Sequence, residues 1–127
     1  MKRILMVDDS PSVITAAYDE LEEKGYIVEV AYNGEEALDY LEENPEELPD
    51  LIIMDIQMPK LSGVETTRII RDRPEWKHLP IIALTAKSPE TVGDSLPLFD
   101  NYLVKPFGFN QMLELVQRMI GKPEEQA

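Results

Sequence analysis

Two adjacent carboxylates, Asp8 and Asp9, follow directly on an apolar run that ends at Val7, and a third, Asp55, follows the run Leu51–Met54. A threonine, Thr85, closes Ile81–Leu84, and a lysine, Lys105, closes Asn101–Val104. If these runs are neighbouring strands, three carboxylates, an ammonium and a hydroxyl meet in one crevice. Converging carboxylates repel one another, so either their pKa values rise or a cation neutralises them. A hard divalent ion held by a few carboxylates, a carbonyl and water is the natural answer, and Mg2+ favours that arrangement. Lys105 and Thr85 are donors suited to phosphoryl oxygens, and a carboxylate beside a divalent ion and a lysine can attack phosphorus. Each piece alone has an ordinary reading. Asp8-Asp9 can serve the start of a helix, where acids are favourable; Asp55 can be a turn residue; one Thr or Lys at a strand end is usually nothing more. The joint pattern is what points to chemistry.

The pattern needs elements that bring these ends together. Lys2–Val7, Ile27–Tyr32, Leu51–Met54, Ile81–Leu84 and Asn101–Val104 read as strands, mostly continuous apolar runs of the kind buried on both faces. Between them lie helical patterns. Ser10 offers an N-cap oxygen and Pro11 a first helical residue, and Val13, Ile14, Ala17, Tyr18 and Leu21 then share one arc until Gly25 stops the helix. Asn33-Gly34 turns into Glu35–Glu43. Ser62 and Glu65 have capping-box spacing before a helix reaching about Arg71. Phe109–Ile120 is the last helix, ended by Gly121 and Pro123. Its apolar arc spans about 160°; Leu115 and Met119 at the edge read as resting on the neighbouring helix, with a partner or dimer face as the alternative. Trp76, in the polar connection 72–80, reads as a surface anchor.

This alternation specifies an α/β fold: a doubly wound five-stranded parallel sheet of order 2-1-3-4-5 with five helices. The fourth helix is expected to be irregular, because Pro89, Gly93 and Pro97 fall within its short span. In such a sheet the ligand crevice lies at the carboxyl ends of the strands, where the order reverses between strands 1 and 3. Those are the strands that deliver Asp8, Asp9 and Asp55.

The whole chain, 127 residues, suits one domain, read as 1–121 with a frayed tail at 122–127. With 12 Lys+Arg against 25 Asp+Glu the net charge is −13, which argues against nucleic acid and anionic membrane surfaces as partners. The chain has no cysteine, so disulfides and thiolate chemistry are excluded. No apolar run approaches the ~20 residues of a membrane span, and no signal peptide opens the sequence. A cytoplasmic domain is expected. Met1 and the short polar tail favour a complete, stand-alone protein, a monomer or weak dimer.

At this point the sequence resembles the receiver domain of two-component response regulators, in particular single-domain receivers like the chemotaxis regulator, over about residues 2–120. The resemblance is carried by Val7-Asp8-Asp9, by Asp55-Ile56-Gln57-Met58-Pro59 with Gly63 beyond, by Thr85-Ala86, and by Tyr102-Leu103-Val104-Lys105-Pro106-Phe107. It implies a flavodoxin-like fold and a phospho-acceptor switch. Asp55 would take a phosphoryl group from a phosphohistidine on a sensor histidine kinase or histidine phosphotransfer protein. Asp9, Asp55 and the carbonyl of Gln57 would bind Mg2+, with Asp8 acting mainly through water. Lys105 would pair with the phosphoryl oxygens and Thr85 would move to hydrogen-bond them. Tyr102 would turn inward as Thr85 moves, and Lys105-Pro106 would be a cis peptide. The protein would catalyse its own phosphorylation and slow dephosphorylation without being a metabolic enzyme, and a partner protein would read its altered surface.

Two departures from the family pattern stand out. The irregular stretch before strand 5 belongs to the family's output face. The residues two after Asp55 and Thr85, which tune phosphoryl lifetime in the family, are Gln57 and Lys87. Three other functions compete. A flavin carrier of the same fold needs donors, not two carboxylates, after strand 1. An aspartyl-phosphate hydrolase of the haloacid dehalogenase type needs two Asp separated by one residue and a cap domain. A receiver-like docking module that works without phosphorylation keeps the fold and loses the response to a phosphodonor. No P-loop motif occurs, and the single histidine, His78, lies in a polar connector.

Overall fold

The structure, a computed structural model, describes residues 2–86, 97–105 and 107–123. Its order is β1 (Arg3–Val7), α1 (Pro11–Glu23), β2 (Ile27–Ala31), α2 (Gly34–Glu43), β3 (Leu51–Asp55), α3 (Gly63–Asp72), β4 (Ile81–Thr85), β5 (Asn101–Val104) and a last helix, here α4 (Phe109–Ile120). The five strands form one parallel sheet in the order β2-β1-β3-β4-β5. Four α-helices lie among the described residues. The irregular helix expected around Pro89 and Gly93, with Lys87 before it, lies outside them, as do the cis peptide expected at Pro106 and the end of the tail.

Alternation along the strands divides the core between the two faces of the sheet. Ile4, Met6, Ile53, Ile82, Leu84 and Leu103 face α1 and α4, meeting Ile14, Ala17, Leu21, Met112 and Val116. Leu5, Val7, Ile52, Met54, Ile81 and Ala83 face α2 and α3, meeting Ala37, Leu41 and Ile70. With helices on both sides, β3 and β4 are buried at every position. At the edge of the last helix, Leu115 is buried in the core cluster shared by α1, the sheet and α4, and Met119 is half-buried and packed against that cluster.

The helix starts differ in how their free N–H groups are met. At α3 the capping box forms as expected, with the Glu65 N–H donating to Ser62 Oγ (3.1 Å) and the Ser62 N–H to Glu65 Oε1 (3.2 Å). At α2 Asn33 caps, accepting from the Glu36 N–H at 2.8 Å. The capping oxygen expected at Ser10 does not form. Ser10 holds the N-cap position, but its hydroxyl pairs with that of Ser12 at 3.1 Å.

Trp76 corrects the reading of the connection 72–80. It is 2 % exposed and packed in the α2–α3 core, with the Arg73 guanidinium 4.0 Å from its ring centroid. The Arg73 guanidinium covers the ring on that side. Arg71 secures the approach to β4 and β5, donating to the carbonyls of Lys77, Leu79 and Leu98 and to Asp100 Oδ2, all within 2.9 Å. At the far end of the sheet the Ile27 N–H donates to the Lys2 carbonyl (2.9 Å) and the Tyr26 hydroxyl to the Gly121 carbonyl (2.7 Å). Gly25, at φ +103°, terminates α1 there and lies against a buried Pro123.

One buried hydroxyl has no hydrogen-bond partner among the described residues: Thr67 Oγ1, on a fully buried side chain of α3. Thr67→Val keeps the shape and removes the unsatisfied group, so the variant is expected to be more stable by about 1–2 kcal/mol in urea titration. An unchanged or lower midpoint would show that the hydroxyl is satisfied in solution.

Candidate functional site

Register brings the sequence-predicted residues together at the carboxyl ends of the strands. Val7 stands opposite Met54 and Asp55 opposite Leu84. Asp8, one residue beyond β1, still continues the ladder, its N–H donating to the Ala31 carbonyl at 3.1 Å. Lys105, one beyond β5, does the same toward the Thr85 carbonyl at 2.7 Å. Asp8, Asp55, Thr85 and Lys105 are therefore each the end or the first overhang of a fixed strand, which holds the Cα with the rigidity of the sheet, and Asp9 follows one residue further on.

Asp8, Asp9 and Asp55 each present a carboxylate oxygen within 4.8 Å of the other two. Asp8 is fully buried and Asp55 is 5 % exposed, while Asp9 faces solvent. Lys105 spans the two buried acids, its Nζ 3.1 Å from Asp8 Oδ2 and 3.4 Å from Asp55 Oδ2. The other oxygens take backbone donors: the Ser10 N–H reaches Asp8 Oδ1 (2.9 Å) and the Gln57 N–H reaches Asp55 Oδ1 (3.2 Å). One ammonium thus serves two buried carboxylates, and the local sum with Asp9 remains negative.

Burial and then the charge of Asp8 push the Asp55 carboxyl up from 3.8 to about 6, against the opposing pull of Lys105 and the Gln57 N–H. For Lys105, burial favours the neutral amine, but the Asp8 hydrogen bond and the charges of Asp55 and Asp8 outweigh it, and its pKa is raised. A carboxylate this costly to ionise is the expected signature of a site that takes an additional cation. The donor set, three carboxylates with one side open to solvent at Asp9, fits a hexacoordinate oxygen-loving ion that keeps part of its water.

Thr85 ends β4 as a buried side chain, 2 % exposed. Tyr102, on the edge strand β5, is 40 % exposed. Gln57 is exposed and touches the site through its backbone N–H. The turn that follows is tight, with Lys60 in the left-handed region at φ +66°. His78 is exposed in its connector, away from the buried acids.

Strand-end reasoning does not find an apolar groove of about 620 Å³ between α1 and α4. Val13, Ala16, Phe107, Phe109 and Met112 line it, together with the charged residues Glu20 and Lys105. The available signal was the pair of phenylalanines flanking Gly108 just past Lys105, opposite the small residues Ala16-Ala17.

Known proteins share this architecture. Residues 4–117 match the response regulator receiver domain. The chain is 37% identical over 128 residues to the phosphate regulon transcriptional regulatory protein PhoB of Rhizobium meliloti, covering 98% of this chain and 55% of that protein. It is 38% identical over 126 residues to the alkaline phosphatase synthesis transcriptional regulatory protein PhoP of Bacillus subtilis, covering 97% and 50%. The chain thus spans about half the length of these curated relatives. Among solved structures, the response regulator TrrA of Thermotoga maritima in complex with Mg2+-BeF superposes with a TM-score of 0.82 at 41% identity, covering 94% of this chain and 99% of that one. TrrA is also solved in complex with the histidine kinase ThkA, with a TM-score of 0.81 at 41% identity and the same coverage.

Proposed function

The chain belongs to the response regulator receiver family, and from that premise we propose that Asp55 is its phosphoryl acceptor, with a phosphohistidine on a sensor histidine kinase or phosphotransfer protein as donor. Receiver domains take phosphoryl groups on an aspartate with Mg2+ and act as phosphorylation-dependent switches. The observation that carries the assignment is the Lys105 ammonium shared between the buried carboxylates of Asp8 and Asp55, with Asp9 beside them.

Asp55 is the acid at the centre, on the strand next to the order reversal, with a carboxyl near 6 that is mostly ionised at neutral pH. In the transfer an Asp55 oxygen forms a P–O bond while the P–N bond to the donor imidazole breaks. The imidazole nitrogen keeps the electron pair and takes a proton. Mg2+, when bound by Asp8, Asp9, Asp55 and the Gln57 carbonyl, supplies charge neutralisation for the incoming phosphoryl oxygens. Lys105 leaves its bridge to pair with one of those oxygens, and Thr85 hydrogen-bonds another. The groove beside Lys105 offers the donor protein an apolar seat next to the acceptor.

Phosphorylation adds nearly two negative charges and new acceptor oxygens. The shift of Thr85 toward them opens space for Tyr102 to leave its exposed position and turn inward, and a partner protein reads the changed β4–β5 edge. The signal is thereby passed by contact in the cytoplasm, and the only chemistry catalysed is the protein's own phosphorylation and slow dephosphorylation.

Intact mass after incubation with Mg2+ and acetyl phosphate tests the acceptor. The parent is expected to gain one acid-stable, base-labile phosphoryl group and Asp55→Asn none. Mg2+ binding without uptake in either would favour a docking module that works unphosphorylated.

A further inference from the structure

Gly63 is unlike an ordinary helix-start glycine. Its φ is not in the left-handed region, so no backbone preference demands it. Space does. A Cβ at this position would overlap the Asp55 carbonyl oxygen and stand 2.8 Å from both the Asp55 carbonyl carbon and Ile56 Cα. All three neighbours are backbone, so no side chain can rotate away. The Gly63 N–H donates to the Ile56 carbonyl at 2.9 Å, and the Ile56 N–H donates to the Leu84 carbonyl at 2.9 Å. The first turn of α3 therefore rests directly on the Asp55–Ile56 peptide, which is itself pinned to β4.

The turn between them, from Gln57 to Ser62, is closed by this contact. It carries the Gln57 N–H that orients Asp55 Oδ1, and it includes the strained Lys60. A second glycine supports it from the other side: a Cβ on Gly34 would overlap Thr66 Oγ1 and come 2.9 Å from the Leu61 carbonyl. Thr66 in turn bonds the Ser62 carbonyl at 2.7 Å. The acceptor turn is thus held between α2 and β3 through two positions where no side chain fits.

We propose that Gly63 is a positioning residue for the acceptor site, setting the height of Asp55 and of the Gln57 turn through direct contact of α3 with the Asp55–Ile56 peptide. The inference rests on the reading of Asp55 as acceptor for its kinetic consequence, but its geometric consequence stands without it. A methyl group here has to lift α3 or displace the Asp55–Ile56 peptide. Either movement shifts the Gln57 N–H relative to the carboxylate it orients.

The test compares Gly63→Ala with Ile70→Val, a core change farther along the same helix where the side chain is fully buried. Three readouts are taken: the metal-free amide NMR spectrum, Mg2+ affinity, and the rate of phosphorylation by acetyl phosphate. Gly63→Ala is expected to shift the Asp55, Ile56 and Gln57 amide signals. It should also weaken Mg2+ binding about tenfold and slow phosphorylation by roughly ten- to a hundredfold. Ile70→Val is expected to lower the melting temperature and leave Mg2+ affinity and rate within about twofold, since it removes one distant methyl. Gly63→Ala with affinity and rate unchanged, or with losses matched by Ile70→Val, would overturn the positioning role. If Gly63→Ala does not fold, Gly34→Ala presses the same turn from the opposite side and carries the same comparison. Failure of both to fold would assign the glycines to the fold and overturn the proposal. A parent protein that binds Mg2+ but takes no phosphoryl group would instead defeat the acceptor reading, and the NMR and Mg2+ readouts would still decide the role of Gly63.

Discussion

Lys105→Met lowers stability at pH 7.5 by about 3 kcal/mol and slows phosphoryl uptake from acetyl phosphate roughly a hundredfold. The stability loss follows from what the ammonium leaves behind. Asp8 is fully buried and Asp55 nearly so, and Lys105 is the cation both of them touch. Removing one partner of a buried ion pair costs about 3–5 kcal/mol, because the remaining charge is neither hydrated nor paired. The lower end applies, since the lysine side chain is 27 % exposed and water reaches part of the site. The sign with pH is also fixed. The Lys105 pKa is raised above its ordinary 10.5, so its contribution is complete below 10.5 and is lost only as pH rises through the still higher folded value. Urea titration in metal-free buffer measures the loss. Mg2+ restores part of it, because the ion brings positive charge to the same carboxylates. A loss under about 1 kcal/mol would show that water already neutralises the buried acids, contrary to their burial.

Asp55 itself works against the fold at neutral pH. Its carboxyl titrates at about 6 in the folded protein against 3.8 as the ordinary value. Below 3.8 the group is protonated in both states and contributes nothing. Between 3.8 and 6 the folded state keeps the proton that the unfolded state has released, so stability falls as pH rises. Above 6 the penalty is complete. A displacement of this size corresponds to roughly 3 kcal/mol, an upper bound because Asp8 and Lys105 readjust with it. Asp55→Asn removes the charge while keeping the shape. It is expected to be more stable than the parent by about 1–3 kcal/mol at pH 7.5. The gap should close as the pH is lowered through 6 toward 4. Denaturation of both proteins from pH 4 to 8 without metal measures it. A gap that widens toward acid would mean that the folded carboxyl is depressed, and that Lys105 outweighs burial and Asp8. Saturating Mg2+ narrows the gap at pH 7.5 by stabilising the parent's folded state.

The site was legible in the sequence because its parts sit at strand ends. An apolar run of four or five residues marks a buried parallel strand, and the first charged residue after it marks the edge where ligands bind. Asp8, Asp55 and Lys105 are all of this kind, Thr85 is the first polar residue after its run, and strand order needs only the alternation of elements. What failed depended on contacts remote in sequence. Trp76 stands among Arg73, Glu75, Lys77 and His78, and nothing local says that a turn after α3 folds it beneath Arg73 onto the α2–α3 core. The residue type at Ser10 predicted a cap, but the choice of Ser12 as partner is a matter of rotamer, which spacing does not specify. The groove beside Lys105 was hidden for a different reason. Its walls come from α1 and from the entry to α4, nearly a hundred residues apart, and each wall alone looks like ordinary core. Gly63 was visible as a motif residue, but its reason, a backbone contact with Asp55, appears only when α3 and β3 are placed together.

The hydrogen bonds at the far end of the sheet make the chain almost a ring. Lys2 is held by Ile27 and Gly121 by Tyr26, two consecutive residues at the entry to β2, so the start of β1 and the end of α4 arrive at the same place. The entropy of closing the 95-residue span between Tyr26 and Gly121 has been spent once the sheet and α4 are in place. A short peptide joining the two ends would therefore add little constraint to the folded state. In a circularly permuted chain opened in the exposed turn at 45–47, every strand would keep its neighbours and the carboxylates their crevice. The order in which the chain is threaded is in this sense separable from the architecture that holds the site.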